Sequence, residues 1–278
     1  MNGVHYMSDT NDSPTMQLGS IELTTPKTQP RRMSTIIWGP SGAGKTTLAA
    51  TAPRPILWVN FDPDGTSSLM DEEDIVIADF STSKPNTVLK FKHDNAAGIA
   101  TLLEDRPDIK TVVFDSITSF NEMALKAAVE EVRGATMEGP TLQGYGRRNS
   151  YTMQGIMSVI KATAKANTHC IFIAHEDAPS KDEMTGALMV SILVGGKMQS
   201  EIPIKLSEVW HLEDTGKDRK ITIRSNRMKK PMKSRMFKQD GGSDFVWSFD
   251  PDKDWTTQGI ASWFAKWVDC GGKKIELP

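Results

Sequence analysis

Cysteine is nearly absent from these 278 residues: Cys170 and Cys270 are the only two, and neither has a second Cys or a paired His at metal-ligand spacing. That excludes a disulfide framework and a cysteine-based zinc site. Net charge is almost absent too, with 33 Lys and Arg against 35 Asp and Glu for a formal −2. The whole chain therefore carries no electrostatic footprint for nucleic acid or an acidic membrane, and a polyanion site has to come from local clustering. No apolar run approaches the roughly 18–20 residues of a bilayer span, and the opening residues lack the apolar centre of a secretory signal. There is no internal repeat. These absences predict a soluble, cytoplasmic protein of a reducing compartment, with no membrane partner and enough length for one continuous hydrophobic core.

Residues 1–32 are rich in Ser, Thr, Asn, Asp and Pro without a sustained apolar period, which predicts a disordered N-terminal arm. Residues 33–250 read as the core domain and 251–278 as a C-terminal helix packed on it. An apolar strand over Ser34–Trp38 stops at Gly39 and gives way to a Gly-rich turn and a helix over 45–52. A strand over Ile56–Phe61 ends in the acidic turn Asp62-Pro63-Asp64-Gly65. Further strands are predicted at Ile75–Ala78, Thr111–Asp115 and Cys170–Ala174, with helices over 94–104, 117–132 and from the loop 134–147 to about 167. Strands and helices alternating in this way predict an α/β fold with a parallel sheet covered on both faces. Beyond it, Ile204–Leu212, Lys220–Arg224 and Phe245–Phe249 read as antiparallel strands extending the sheet. The last helix, 257–268, puts Ile260, Trp263, Phe264 and Trp267 on one face, a pattern of core packing rather than of a base-stacking platform.

Gly39-Pro40-Ser41-Gly42-Ala43-Gly44-Lys45-Thr46, followed by Thr47, fits G-x-x-x-x-G-K-[ST] with a strand before it and a helix after it. The spacing follows from phosphate chemistry. Glycines let backbone N–H groups curl around a β-phosphate, Lys45 reaches the β and γ oxygens, and Thr46 offers a hydroxyl to Mg²⁺. Asp115 closes an apolar strand downstream, where a carboxylate serves the same metal. Ser116 follows it, where many P-loop machines carry a catalytic Glu, so a carboxylate orienting the attacking water has to come from elsewhere. Asp64 is the first candidate and Asp62 its rival; the plain alternative is an acidic turn with no role. His175 directly follows the strand 170–174, facing the γ-phosphate position at the sheet's carboxyl edge, although lone histidines are usually structural.

Together these residues resemble the RecA/RadA recombinase core over roughly 34–250, in particular the small phage-borne RecA-like ATPases associated with single-strand annealing. The resemblance implies a RecA-like P-loop NTPase with ATP and Mg²⁺ as cofactors. It also implies DNA-stimulated hydrolysis and an oligomer, ring or filament, on single-stranded DNA in recombination or annealing. A single-strand-binding protein would be a partner, and a bacterial host cell the setting for a phage-encoded chain. In that family the second strand leads into an acidic segment bearing the catalytic Glu, which falls here on Asp64. The V-V-D-S strand end is matched by Val112-Val113-Phe114-Asp115-Ser116, and a γ-phosphate-sensing Gln is replaced by His175. The second DNA loop closes on a Gly-Gly pair before a strand, matched by Gly195-Gly196-Lys197 after the span 178–194. A K-N-K run with Pro five residues past the Asn is matched by Ser225-Asn226-Arg227 and Pro231, which makes Arg227 a cation acting on the neighbouring subunit's ATP. Met16–Leu23 is the one stretch of the arm that could serve as a polymerisation strand.

Local charge supports a polyanion role apart from the resemblance. Between Lys217 and Lys238 stand ten Lys and Arg and a single acid, Asp218; the alternative is a solvated hairpin face. Tyr145 beside Arg147 and Arg148 joins stacking to charge, as single-strand binders do, or Tyr145 simply packs. Rival functions are a P-loop kinase or phosphotransferase on a small molecule, an AAA+ loader or helicase, and a scaffold locked by nucleotide without turnover.

Overall fold

The computed structural model describes residues 17–18, 21–22, 25, 29, 31–69, 72–181, 186–226, 228–229, 231–240 and 242–278. They fall into two units, 1–31 and 32–278. In the first, Gln17–Leu18 pairs antiparallel with Ile21–Glu22; this lies within the stretch read as a polymerisation strand, of which residues 16, 19, 20 and 23 are outside the described ones.

In the second unit five apolar runs become β1 (Ser34–Gly39), β2 (Ile56–Asn60), β3 (Ile75–Asp79), β4 (Thr111–Asp115) and β5 (His169–His175). With β6 (Glu208–Asp214), β7 (Arg219–Thr222) and β8 (Asp244–Trp247) they form one sheet in the order β8-β7-β6-β1-β5-β4-β2-β3. From β6 to β3 every pair is parallel, and only β6 with β7 and β7 with β8 run antiparallel. This is the α/β architecture expected from the sequence: a mostly parallel, doubly covered sheet with antiparallel strands toward the C-terminus.

Strand side chains alternate between the two faces, so each fully buried strand feeds two cores. Ile36, Trp38, Val112, Phe114 and Phe172 enter one core. They meet α2 (Ile99–Asp105), α3 (Ile117–Glu131) and α4 (Leu142–Lys165). Phe61, Phe91, Phe114 and Phe120 form a ring cluster there, with centroids 4.8–5.9 Å apart, each such pair worth about 0.5–1.5 kcal/mol beyond its buried area. Ile37, Trp58, Val113, Ile171 and Trp210 enter the other core, against α1 (Lys45–Ala50) and α6 (Ile260–Asp269), the latter following α5 (Met198–Ile204) in the chain. Ile260 and Trp263 are buried with Phe237 and Phe245, and the Ile260 amide donates to Thr51 Oγ1 at 2.9 Å, tying α6 to the end of α1.

Three local expectations are corrected. The strand predicted from Ile204 starts at Glu208 and runs parallel to β1, because α5 occupies 198–204: Met198 and Ile202, one helical turn apart, both face the core. The Gly195-Gly196-Lys197 stretch therefore precedes a helix, not a strand. The loop 134–147 ends early, at Thr141, whose hydroxyl caps α4 by accepting from the Gly144 amide at 3.2 Å. Tyr145, Arg147 and Arg148 thus stand on the first turns of α4, where Gly144 and Gly146 had masked the helix in the sequence. Among the described residues no helix is long and apolar enough to cross a membrane.

Candidate nucleotide site

The parallel order sets a crevice at the carboxyl ends of β1, β5, β4 and β2, where loops rather than packed helices receive a ligand. The loop 39–46 rises there from β1. Its Lys45 is buried, and the ammonium donates to the carbonyls of Gly39 at 3.0 Å and Pro40 at 2.7 Å, holding the loop curled around the cation. Burial lowers the Lys45 pKa, opposed by the negative charges of Asp115, Asp62 and Glu176. Thr46, Thr47, Ser41 and Gly42 line a cleft of about 490 Å³ together with Asp62, Asp115 and His175.

Asp115, at the end of β4, is 3 % exposed. Burial, reinforced by the Asp62 carboxylate, pushes its carboxyl up to about 7. Two carboxylates against one ammonium in a shared buried space are a donor set that suits a divalent cation. Among the described residues no group of three or more His, Cys, Asp or Glu could hold a metal alone, so Mg²⁺ would rest on Thr46, Asp115 and the phosphates of its nucleotide.

Asp62 is the best-held carboxylate of the cleft. Ser119 and Ser116 donate to one of its oxygens, Ser116 at 3.2 Å, and His175 Nε2 lies 3.3 Å from the other. Burial alone would raise the Asp62 pKa, but the hydrogen bonds from His175 and Ser119 outweigh it, and the carboxyl sits below the ordinary range. Asp64, the first sequence candidate, is exposed in the left-handed region at φ 57° and does not line the cleft. The turn Asp62-Pro63-Asp64-Gly65 points its first carboxylate inward and its second out. His175 closes β5, with its amide held by Thr118 Oγ1 at 3.0 Å.

Ser119 and Arg219 were missed in the sequence. The first had a readable signal, since Ser116 caps α3 and accepts from the Ser119 amide at 3.2 Å, which fixes Ser119 one turn in, beside the acidic loop. Arg219 had none: it lies in a segment of ten cations, and only the pairing of β7 brings it over Gly44. Gly44 has φ +91° and a Cβ there would lie 3.2 Å from the Arg219 guanidinium carbon, so the loop glycine permits this approach.

A second neighbourhood joins α4 to the Gly-Gly turn. The Arg148 guanidinium lies 5.0 Å over the Tyr145 ring, and a Cβ on Gly195 would stand 1.7 Å from its Nη2. Gly195 is therefore the residue that lets the turn close on Arg148. Arg147 instead pairs with Glu131 at 2.6 Å, a carboxylate that also accepts from Tyr151. Lys197 is exposed just before α5. The turn connects back to the cleft, because the Leu193 amide donates to the His175 carbonyl at 2.8 Å. Three cations of the basic segment pair with carboxylates from outside it: Lys220 with Asp244 at 3.0 Å, Lys229 with Glu213 at 2.8 Å, and Lys238 with Glu276. Arg227 lies outside the described residues.

The AAA domain family profile matches residues 31–245. No curated protein matches the chain. Among solved structures, the crystal structure of the RadB recombinase aligns at a TM-score of 0.44 and 15 % identity, covering 78 % of this chain and 87 % of that one. The P-loop fold stands on the strand order and loop geometry, and that likeness adds nothing to it.

Proposed function

Since the chain belongs to the AAA domain family, we propose that it binds and hydrolyses ATP in the cleft above β1 and uses that turnover to control binding to single-stranded DNA as a RecA-like oligomer. The observation that carries the ATPase reading is the meeting of Lys45, Asp115 and a triply hydrogen-bonded Asp62 in one buried space beside the loop 39–46. Lys45 would leave the Gly39 and Pro40 carbonyls for the β and γ oxygens, and the amides of Ser41 to Thr47 would cradle the phosphates. Thr46 and Asp115 would hold Mg²⁺, which when bound would supply positive charge to the phosphates. Asp62, kept ionised and aimed by Ser119, Ser116 and His175, would orient the attacking water and receive its proton. His175 touches this carboxylate and its carbonyl holds Leu193, so a shift on loss of the γ-phosphate would reach the Gly195 turn.

The DNA part is supported by Tyr145 and Arg148, stacked together against that turn, with Lys197 beside them and Arg147 contributing less because Glu131 holds it. Arg227, outside the described residues, is proposed as the cation reaching a neighbouring subunit on the sequence resemblance alone. The test is ATP hydrolysis with and without single-stranded DNA. Turnover that rises with DNA and vanishes in Lys45→Ala supports the reading. Turnover indifferent to DNA but dependent on a small phosphate acceptor would replace it with a phosphotransferase.

A further inference from the structure

The phosphate cleft does not end at the loop. A second cavity of about 550 Å³ adjoins it, and the two share Thr47, Ser68 and Arg219 in their walls. Their linings differ. The first is ringed by the loop, carboxylates and a lysine, whereas the second is walled by Trp247, Phe249 and Trp255, with Lys217, Asp218 and Ser248 as its own polar groups. Trp247 closes β8 as a buried floor whose indole N–H donates to the Gln258 carbonyl at 2.8 Å. Phe249 and Trp255 are half-buried and meet edge to face at 4.8 Å. Arg219 bridges the two spaces, its guanidinium 5.7 Å from the Trp247 ring centre on one side and against Gly44 on the other. A molecule spanning both cavities would have one anionic end and one flat aromatic end.

We propose that this aromatic cavity between β7, β8 and the 247–255 turn receives the base and ribose of the nucleotide whose phosphates occupy the loop cleft, with Arg219 at the junction. The assignment rests on the phosphate-loop reading of the first cleft. Stacking on Phe249 and Trp255 supplies affinity for any base, because every base has a π-face. Asp218 and Ser248 supply the hydrogen-bonding groups that choose among bases. The nucleoside is then held by the C-terminal strands of the same chain that holds its phosphates, so the subsite needs no neighbouring subunit.

Two measurements test this on the full chain. Photolabelling with 8-azido-ATP and Mg²⁺, competed by ATP, should mark the peptide 247–255; label confined to other peptides overturns the proposal. Titration calorimetry should compare ATP with inorganic tripolyphosphate for the parent, Phe249→Ala and the cavity-filling Ser248→Trp, whose site is exposed and tolerates substitution without unfolding. About a tenfold loss for ATP with tripolyphosphate unchanged is the expected result. Equal loss for both ligands, or no loss for either, overturns it. If the parent binds neither ATP nor tripolyphosphate, the phosphate-loop reading falls and this one with it.

Discussion

The nucleotide cleft and the basic segment 217–238 both concentrate charge, and they use it in opposite ways. In the cleft, Lys45, Asp62 and Asp115 are brought into one partly dry space from three separate strand ends, and burial, reinforced by the Asp62 carboxylate, raises the Asp115 carboxyl to about 7 against the opposing charges of His175 and Lys45. In the basic segment several cations have their own carboxylates, as in Lys220 with Asp244, Lys229 with Glu213 and Lys238 with Glu276. Ten cations in a row of sequence thus make less of a site than three charges from distant positions. What distinguishes the two is unmet electrostatic demand in a confined volume, which local charge density does not measure.

The comparison breaks most sharply at the cleft. Asp62→Asn should lower kcat by about 10²–10⁴ with nucleotide affinity little changed, the range for a lost general base, while Asp64→Asn should hydrolyse ATP within about twofold of the parent. Steady-state kinetics decides, and the reverse pattern would return the role to the exposed carboxylate. Lys45→Ala should remove on the order of 10² or more of the rate, a scale typical of one lost transition-state donor, without lowering the melting temperature appreciably.

Asp115 gives a prediction in which stability and function move apart. Its raised pKa means the native state keeps a proton that the unfolded chain releases from about pH 4, so this group lowers stability as pH rises from there to about 7. Asp115→Asn should flatten that part of the profile and melt higher than the nucleotide-free parent near pH 8, yet lose the Mg²⁺ dependence of nucleotide binding. Melting curves across pH, with and without Mg²⁺ and nucleotide, check both halves. A variant less stable at pH 8 would show that the carboxylate is already satisfied within the fold.

Smaller effects sharpen the other side. Arg148→Ala should weaken single-stranded DNA binding and reduce the salt slope by about one phosphate contact, and Arg147→Ala should do less, since Glu131 already engages that guanidinium. Fluorescence anisotropy over a salt series separates the two. Smallest of all, Lys238→Ala, which removes an exposed partner of Glu276, should leave the melting temperature almost unchanged, because solvent screens such a pair. A loss of DNA affinity larger than that of Arg148→Ala would make the basic segment the primary contact after all.

Much of this was legible in residue order because it is local. The loop 39–46 is a contiguous pattern, apolar runs bounded by glycine or Asp read as buried strands, and Asp115 and His175 mark strand ends by abrupt polarity. The start of one helix and the whole of another escaped for local reasons as well: Gly144 and Gly146 dilute the start of α4, and Pro203 disguises the end of α5. The choice between Asp62 and Asp64 was of another kind. The two are separated by one residue, and a left-handed φ at Asp64 sends it outward while Ser119, 57 positions from Asp62, holds the other in place.

The sequence by itself determined the phosphate loop, the parallel α/β class and the strand ends where chemistry gathers, because hydrophobic period and turn residues act over a few positions. Only the tertiary structure decided which carboxylate lines the cleft, that Arg148 meets Gly195, and that Arg219 joins the loop to Trp247. Those outcomes depend on strand order, with β5 inserted between β1 and β4 and with β6 and β7 laid on the far side of β1. No residue carries that order in itself. It arises when the whole sheet buries both of its faces at once.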